Sequence, residues 1–549
     1  MDKLRFIAIS GTTGVTENMY VYEYGNEAVV VDCGVGFPEE AAYGVDLVIP
    51  DFTYLVQNKN KIKAILISHG HEDHIGSLPF LFREMQVPIY ATGLVAEFIK
   101  DKFSDYGQVP KINVFDPERD TLKIGNFTID AFRVSHSVPD GVGFCIKVPQ
   151  GKFFHVPDYK FDWTPVDQKP FDVAKVARLA ADGVINVASD CLGSTSDGYT
   201  KSEYEIEKTI DSIFQTAQRR IFFTTISSNI SRMQQAIRVS ERLGRKVVFI
   251  GRSIEKKAEI AKKLGFINWS QGTVVAPRVA EKMPVDKVTY IISGSYGQIG
   301  SALYRVAMGE HTLLNIEPSD LVVFSADPEP PGTDESVNYV VDNLIEKGAE
   351  VHYYDTQEDL HVSGHGSQKD IEMLLALIRP KYMTPIGGTI RHMKAFSKLV
   401  GRMGWRPEDV FELRAGESVE FDNKIAKKGN KVPSRSVLVD GLGVGDVGNV
   451  VLRDRQTLAK EGVVVAILEL DKNQGRIVEK PDLVSRGFVF AKEHQDLLDQ
   501  ASLELTRKLA KHDRVNVQSS KETTVVFLEQ YFFEQTGRRP MILPVVVEV

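Results

Sequence analysis

Ile65-Leu66-Ile67-Ser68-His69-Gly70-His71-Glu72-Asp73-His74-Ile75-Gly76 is the stretch on which the reading of this chain turns. An apolar run that reads as a strand ends in a tight turn holding three histidines and an aspartate, and a helical pattern begins at once. Neutral imidazoles and a carboxylate are the borderline ligands that suit Zn²⁺ or Mn²⁺. Four such groups crowded on one strand-end turn exceed what one ion takes from one place, so the spacing favours two adjacent metals. The bland alternative, a polar loop with incidental histidines, leaves the HxHxDH spacing without a cause.

Further donors lie at other strand ends. His136 follows an apolar run in Val134-Ser135-His136-Ser137-Val138-Pro139-Asp140, and Asp158 follows Phe153-Phe154-His155-Val156-Pro157. Asp190 closes Val184-Ile185-Asn186-Val187-Ala188-Ser189. His361 and His365 sit in Leu360-His361-Val362-Ser363-Gly364-His365-Gly366-Ser367, where Ser and Gly let backbone N–H groups face an anion. Each alone is more often a cap or turn residue than a ligand. Their common position at strand ends is what groups them.

The chain has 549 residues, 43% apolar, 26% charged and 9% aromatic, with 43 Gly and 24 Pro. That composition excludes disordered, collagen-like and coiled-coil classes, and the length suits about three or four domains. No run reaches the ~18 apolar residues of a membrane span. Met1–Ile9 alternates like a strand and shows no signal-peptide pattern. Three cysteines, Cys33, Cys145 and Cys191, are too few for a disulfide framework and point to a reducing compartment. A soluble cytoplasmic protein is the expectation. The net charge of −8 disfavours nucleic-acid binding through bulk charge but leaves room for a local basic groove.

Residues 1 to about 160 read as strands at Ala28–Val31, Ala64–Ile67, Phe127–Ala131 and Phe144–Val148, with helices at Ile75–Met85 and Leu94–Phe103. From about 200 to 350, helix and strand alternate: Glu203–Ala217, Arg220–Thr225, Met233–Leu243, Lys246–Ile250, Ser253–Leu264, Val288–Ile292 and Leu321–Ser325. The alternation predicts a mostly parallel α/β sheet. It continues through a strand at Val351–Tyr354, a helix at Gln368–Ile378, a strand at Tyr382–Ile386 and a helix at Met393–Val400. Lys424–Arg435, rich in Lys without an acid, reads as a linker, with a basic path for a nucleic acid between domains as the functional alternative. A smaller α/β unit follows, with strands at Val463–Leu470 and Met541–Val547 and helices at Leu497–Lys511 and Thr524–Phe533. Gly441, Gly443, Gly445 and Gly448 read as a turn-rich hairpin, not a nucleotide loop. Cys33 and Cys191 read as buried small hydrophobes, and His155 as packing beside Asp158.

HxHxDH, a distal His and then Asp158 resemble the metallo-β-lactamase fold, an α/β protein built as an αββα sandwich. The 200–350 insertion and HVSGH (361–365) resemble the β-CASP subgroup, and the match narrows to ribonuclease J. It rests on NMYVYEYGNEAVVVDCGVGFPEE (18–40), HGHEDHIGSLPFL (69–81), HSVPDGVGF (136–144) and DGYTKSE (197–203). SGSYGQIGSALYRVAMGEH (293–311), HVSGHGSQ (361–368), VDGLGVGDVGNVVLRDR (439–455) and GRRPMILPVVVE (537–548) extend it over essentially the whole chain. The resemblance implies a metallo-β-lactamase domain at 1–203 and 355–423, a β-CASP domain at 204–354, a linker at 424–438 and a C-terminal α/β domain at 439–549.

The resemblance also implies roles. His69, His71 and His136 would hold one divalent ion, Zn or Mn, and Asp73 and His74 a second, with Asp158 bridging. Asp190 would be the proton donor and His365 the acceptor, while His361, Val362, Ser363, Gly364 and His365 would grip the RNA backbone. The implied activity is hydrolysis of single-stranded RNA from a 5′-monophosphate end in the 5′-3′ direction, with internal cutting as well. Dimers or tetramers and other RNA-decay proteins are the implied partners, and no membrane.

Several family positions differ here. A Pro-Val-His-Gly-Glu type sequence, whose His completes the second metal site, is replaced by Thr384-Pro385-Ile386-Gly387-Gly388-Thr389-Ile390-Arg391, with Gly387 at the place of the His. His392 lies five residues on. Pro157 stands where a Gly usually precedes the bridging Asp, and Cys191-Leu192-Gly193 replaces Ser-Thr-Asn. Ser228-Asn229-Ile230-Ser231-Arg232 carries Ser where a His is usual, and the N-terminal GGxGEIGxN reads Ser10-Gly11-Thr12-Thr13-Gly14-Val15-Thr16-Glu17-Asn18. These departures predict a weakened second metal site. They keep open a second reading: a low-activity paralogue serving as an RNA-binding or assembly subunit. A small-substrate hydrolase is a third, disfavoured by the large insertion.

Overall fold

Alternation in the strands Leu4–Ser10, Met19–Tyr24 and Glu27–Val31 turns Phe6, Ala8, Tyr20, Tyr22, Val29 and Val31 into one core. Ile7, Val21 and Val30, on the opposite face, are equally buried. A sheet buried on both faces must be covered on both. The computed structural model describes residues 2–38, 42, 44–327, 333–422, 425–441, 443–445, 448–488, 495–512 and 514–549. They form two compact units, Met1–Phe37 with Val48–Val437 and Pro38–Leu47 with Leu438–Val549.

In the first unit an eight-stranded sheet runs in the order Ile425–Lys428, Ser418–Asp422, Leu4–Ser10, Met19–Tyr24, Glu27–Val31, Ile62–Leu66, Ile89–Ala91, Ile112–Val114. A six-stranded sheet runs Pro380–Ile386, Val184–Asp190, Gly151–Val156, Val142–Val148, Phe127–Arg133, Thr121–Ile124. Phe6, Tyr22, Phe144, Phe153, Leu413 and Phe421 share the core between them. Each such side chain contributes about 1.5–3 kcal/mol on burial. Helices Val173–Ala180, Gln368–Ile378 and Ile390–Arg402 cover the far face of the second sheet through Leu179, Leu375 and Phe396. Gly93–Ser104 packs on the outer strands of the first. This is the expected αββα sandwich.

A third sheet is wholly parallel: Lys246–Ile250, Val288–Ile292, Ile221–Thr224, Leu321–Phe324, Glu350–His352. Its helices include Glu203–Thr216, Ile230–Arg242, Arg252–Lys263 and Thr333–Glu346. In the second unit Val463–Asp471 pairs with Asp482–Arg486 and Met541–Glu548, and Leu505, Leu528 and Phe532 of helices Gln495–Leu509 and Val517–Thr536 pack on Val464, Ala466 and Leu468.

Three local expectations change. The helix expected at Ile75–Met85 is two, Glu72–Ile75 and Leu78–Glu84, because Ser77 N–H bonds to Cys33 O at 3.0 Å and its hydroxyl to Gly34 O at 2.6 Å. The strand expected at Val351–Tyr354 is Glu350–His352, since Tyr353 O is drawn into a turn with Thr356 and Gln357. Within the stretch read as a linker, Ile425–Lys428 is a strand paired antiparallel with Ser418–Asp422, which satisfies its backbone; Lys424 lies outside the described residues. The glycine-rich run forms a short hairpin pairing Val439 with Val444, and Gly448 caps the helix Asn449–Glu461; Leu442, Asp446 and Val447 lie outside the described residues. Cys33, Cys145 and Cys191 are buried free thiols. Among the described residues no helix is long and apolar enough to cross a membrane.

Candidate metal centre

The strand Ile62–Leu66 delivers the HxHxDH turn beside the end of Glu27–Val31, and the two turns are stitched together. Cys33 N–H bonds to His74 O at 2.8 Å and Val35 N–H to Glu72 O at 3.1 Å. The approach is so close that a Cβ on Gly34 would lie 1.5 Å from Asp73 O, so only glycine fits there. Asp32, at φ +62, carries the strain that turns its carboxylate under the cluster.

Four ring nitrogens face inward, and the Nδ1 protons of three of the rings can be traced. Ser68 Oγ donates to Asp32 Oδ2 at 2.8 Å, so at its 3.0 Å contact with His69 Nδ1 the ring is the donor. His136 Nδ1 donates to Gly364 O at 2.8 Å, and His74 Nδ1 to Asp32 Oδ2 at 2.8 Å. His71 Nε2 meets Ser137 Oγ at 3.1 Å. In the neutral rings His69 Nε2 and His136 Nε2 are then lone pairs, and His71 Nδ1 and His74 Nε2 face the same space.

The spacings fit cations. His71 Nδ1 lies 3.2 Å from His69 Nε2 and 3.0 Å from His136 Nε2. Asp158 Oδ2 lies 3.4 Å from His69 Nε2, 3.6 Å from His136 Nε2 and 3.4 Å from His74 Nε2. His74 Nε2 is also 3.4 Å from Asp73 Oδ2. Ligands about 2.0–2.1 Å from a tetrahedral ion stand about 3.3 Å apart, so these edges have the length a coordination shell requires. Two donor groups result, His69–His71–His136–Asp158 and Asp73–His74–Asp158, sharing one carboxylate.

The electrostatics follow. Burial, helped by the neighbouring imidazoles, holds His71 well below the ordinary histidine range, and burial also lowers His136, leaving both neutral. Burial would lower His74 too, but Asp158, Asp73 and Asp32 lift it well above the usual range, the mark of carboxylates that demand positive charge at Nε2. Burial would raise Asp158, yet His74, His365 and His69 hold it well below the carboxylate range.

A third group, Asp158, Asp190 and His365, abuts the first two. His365 Nδ1 bonds to Asp190 Oδ2 at 2.7 Å, and its Nε2 lies 3.9 Å from Asp158 Oδ2. Glycine at 364 is a steric need, since a Cβ there would meet the His136 ring at 2.4 Å. His361 is pushed down to about 3 by burial and by Arg232, so it reaches the cavity uncharged. Val362 is buried, and Ser363 Oγ accepts from His365 N–H at 3.1 Å. Gly387 bears no side chain toward the second donor group. His392 does not stand in for one: Thr389 N–H and hydroxyl engage its Nδ1 at 3.2 and 3.1 Å, capping its own helix. His155 is buried, with Nδ1 3.1 Å from Tyr22 Oη.

Sequence reasoning passed over Asp32, whose strand-end position matches that of Asp158. It also passed over Asn18, whose Nδ2 lies 3.2 Å from Asp73 Oδ2 and 3.1 Å from His74 Nε2. Also unread was the buried set in which Glu203 meets Arg232 at 2.7 Å and Lys160 at 3.2 Å. Arg232 and Ser325 donate to Leu360 O at 2.7 and 2.5 Å, fixing the backbone ahead of His361.

Known proteins agree with this architecture. Residues 12–166 match the metallo-β-lactamase superfamily, 218–344 the ribonuclease J β-CASP domain, 350–408 a Zn-dependent metallo-hydrolase RNA specificity domain, and 450–549 the ribonuclease J C-terminal domain. Ribonuclease J2 of Bacillus subtilis is 35% identical over 553 residues, covering 100% of this chain and 99% of that one. The chain belongs to the ribonuclease J family. Ribonuclease J 1 of Streptococcus pyogenes serotype M3 is 36% identical, covering 100% of this chain and 98% of its own. A solved protein of unknown function from Enterococcus faecalis V583 shares the fold, with TM-score 0.53 at 14% identity over 76% of this chain and 100% of that one. Metallo-β-lactamase core, β-CASP insert and ribonuclease J C-terminal domain are thus all present, and the superfamily's divalent-metal chemistry goes with the donor groups found here.

Proposed function

We propose that this chain is a metal-dependent ribonuclease that hydrolyses single-stranded RNA from a 5′-monophosphorylated end, 5′ to 3′, and also cuts internally, in RNA decay or maturation. The observation that carries the reading is the pair of donor groups sharing Asp158, with the Asp190–His365 pair 3.9 Å away at His365 Nε2. His69, His71, His136 and Asp158 would hold one divalent ion, Zn or Mn, and Asp73, His74 and Asp158 a second, more weakly. When bound, such ions polarise phosphate oxygens and make water nucleophilic at neutral pH. The chain's own residues do the rest. His365 Nδ1 lies 2.7 Å from Asp190 Oδ2, which orients the ring; toward the RNA, Asp190 serves as the proton donor of the reaction and His365 as its proton acceptor. His361 to His365 present hydroxyl and backbone donors to the RNA phosphates, with the aliphatic Val362 packed inside.

The family setting supports a cytoplasmic protein acting as a homodimer or tetramer, with other RNA-decay proteins as partners. The test is turnover of a 5′-monophosphorylated single-stranded RNA with Mn²⁺ and Zn²⁺ titrated, beside a His71→Ala, Asp73→Ala double variant. Stepwise nucleotide release that the double variant abolishes is the expected result. Gly387 favours one second reading, an RNA-binding or assembly subunit of low activity. RNA binding without turnover at any metal concentration would select it.

A further inference from the structure

The cavity over the donor groups, about 190 Å³, has no lysine or arginine among its described lining residues. Its walls beyond the metal ligands and His361–His365 include Val15, Phe37, Leu192, Ile226, Ser228 and Tyr296. With His361 held to about 3 by burial and Arg232, no permanently cationic side chain lines it at neutral pH. Outside a bound metal, affinity there must come from apolar and aromatic contact and from neutral hydrogen bonds. Pockets for drug-sized ligands run to about 300–1,000 Å³, so this one admits no more than a single nucleotide unit at a time.

Resting on the RNA reading above, we infer that Tyr296 is a base-binding residue of this pocket, its ring stacking on the base of the nucleotide presented to the donor groups. Tyr296 is the one aromatic residue that the β-CASP insert contributes to the described lining. It sits in the loop between the strand Val288–Ile292 and the helix Ala302–Met308, and the loop is pinned. Gly297 N–H bonds to Gly294 O at 3.1 Å, Ser301 N–H to Gln298 O at 3.0 Å and Leu303 N–H to Ser293 O at 3.0 Å. Gly297, at φ +68, lies so close to the helix Thr333–Glu346 that a Cβ would meet Ser336 O at 2.3 Å. A half-buried ring on a fixed loop loses little entropy on stacking, and stacking accepts every base. The pocket is therefore base-demanding but tolerant of which base.

The experiment measures Kd of the metal-loaded protein for cleavage-resistant 5′-phosphorylated 2′-O-methyl RNAs whose first position carries adenine, 2-aminopurine or no base. Tyr296→Ala should weaken binding of the base-bearing RNAs roughly 5- to 150-fold and relieve 2-aminopurine quenching, while leaving the abasic RNA unchanged. Tyr296→Phe should restore both. Equal losses on abasic and base-bearing RNA, or none on either, would overturn the stacking role. A wild-type protein that binds none of the RNAs would overturn the RNA reading itself, a result visible before any variant is compared.

Discussion

Replacing Gly387 by His returns a donor to the strand end where the family pattern has one, and the structure sets both its cost and its gain. Gly387 adopts φ +67, a conformation costing an L residue about 1–2 kcal/mol. Space is not the obstacle, because a Cβ there meets Asp190 Oδ1 at 3.4 Å, ordinary contact. The gain is a fourth protein donor beside Asp73, His74 and Asp158. Even outer groups around a metal are worth about 10–100-fold in affinity, so a direct ligand should supply at least that, about 1.4–2.7 kcal/mol. Gly387→His should therefore be less stable than wild type without metal by about 1–2 kcal/mol and recover that loss when metal is present. Elemental analysis after dialysis against graded free Mn²⁺ or Zn²⁺, with Tm followed in parallel, reads both effects. Wild type should retain about one ion at low free metal and fill a second only at roughly 10–100-fold higher concentration; the variant should hold both at the lower one. Two ions retained by wild type through the same dialysis, or a second ion lost as readily from the variant, would refute the reasoning.

Asp32→Ala removes the acceptor of His74 Nδ1 and of both Ser68 donors, so the second position should lose about 10–100-fold in metal affinity with the turn still folded; isothermal titration with Mn²⁺ measures it. Glu203→Ala strands Arg232 and Lys160 in a site where all three are fully buried, and should cost about 3–5 kcal/mol in urea unfolding. The same carboxylate predicts a pH dependence. Burial would raise it, but Lys160 and Arg232 hold Glu203 at about 2 against an ordinary 4.5, so its stabilisation is complete above pH 4.5 and lost as pH falls toward 2. Glu203→Gln should flatten that part of the acid-unfolding curve, and an unchanged slope would remove Glu203 from the account.

What was legible in the sequence was local. Four donors within six residues, HxHxDH, need no tertiary information to be read as a cluster, and His136, Asp158 and Asp190 share the signature of a polar residue closing an apolar run. Asp32 carries the same signature after Val29-Val30-Val31, but its meaning depends on that strand lying parallel to Ile62–Leu66, a pairing that spans more than thirty residues. The Glu203–Arg232–Lys160 set was out of reach for the same reason, since its members come from three segments and none is unusual alone. The break at Gly76–Ser77 escaped because helical spacing of apolar residues runs on through it, while the donors of Ser77 are claimed by Cys33 and Gly34.

Departures from the family pattern were legible as letters, and their consequence becomes physical only with the supporting bonds in view. At the first donor group the outer nitrogen of each histidine is engaged, His69 by Ser68, His71 by Ser137 and His136 by Gly364 O. Three rings each anchored through the outer nitrogen form a site organised before any ion arrives, which is where metal affinity is gained most cheaply. The second group has one ring so held, His74 by Asp32, and where a further ligand would extend from Gly387 there is only a backbone at positive φ. Asn18 Nδ2, within 3.2 Å of both Asp73 Oδ2 and His74 Nε2, presents a neutral donor to that emptier side and holds its donors together without adding a ligand. The two halves of the centre are thus unequally built around one shared carboxylate. In the proposed reaction Asp158, which lies 3.4–3.6 Å from His69, His74 and His136, has to serve both halves at once.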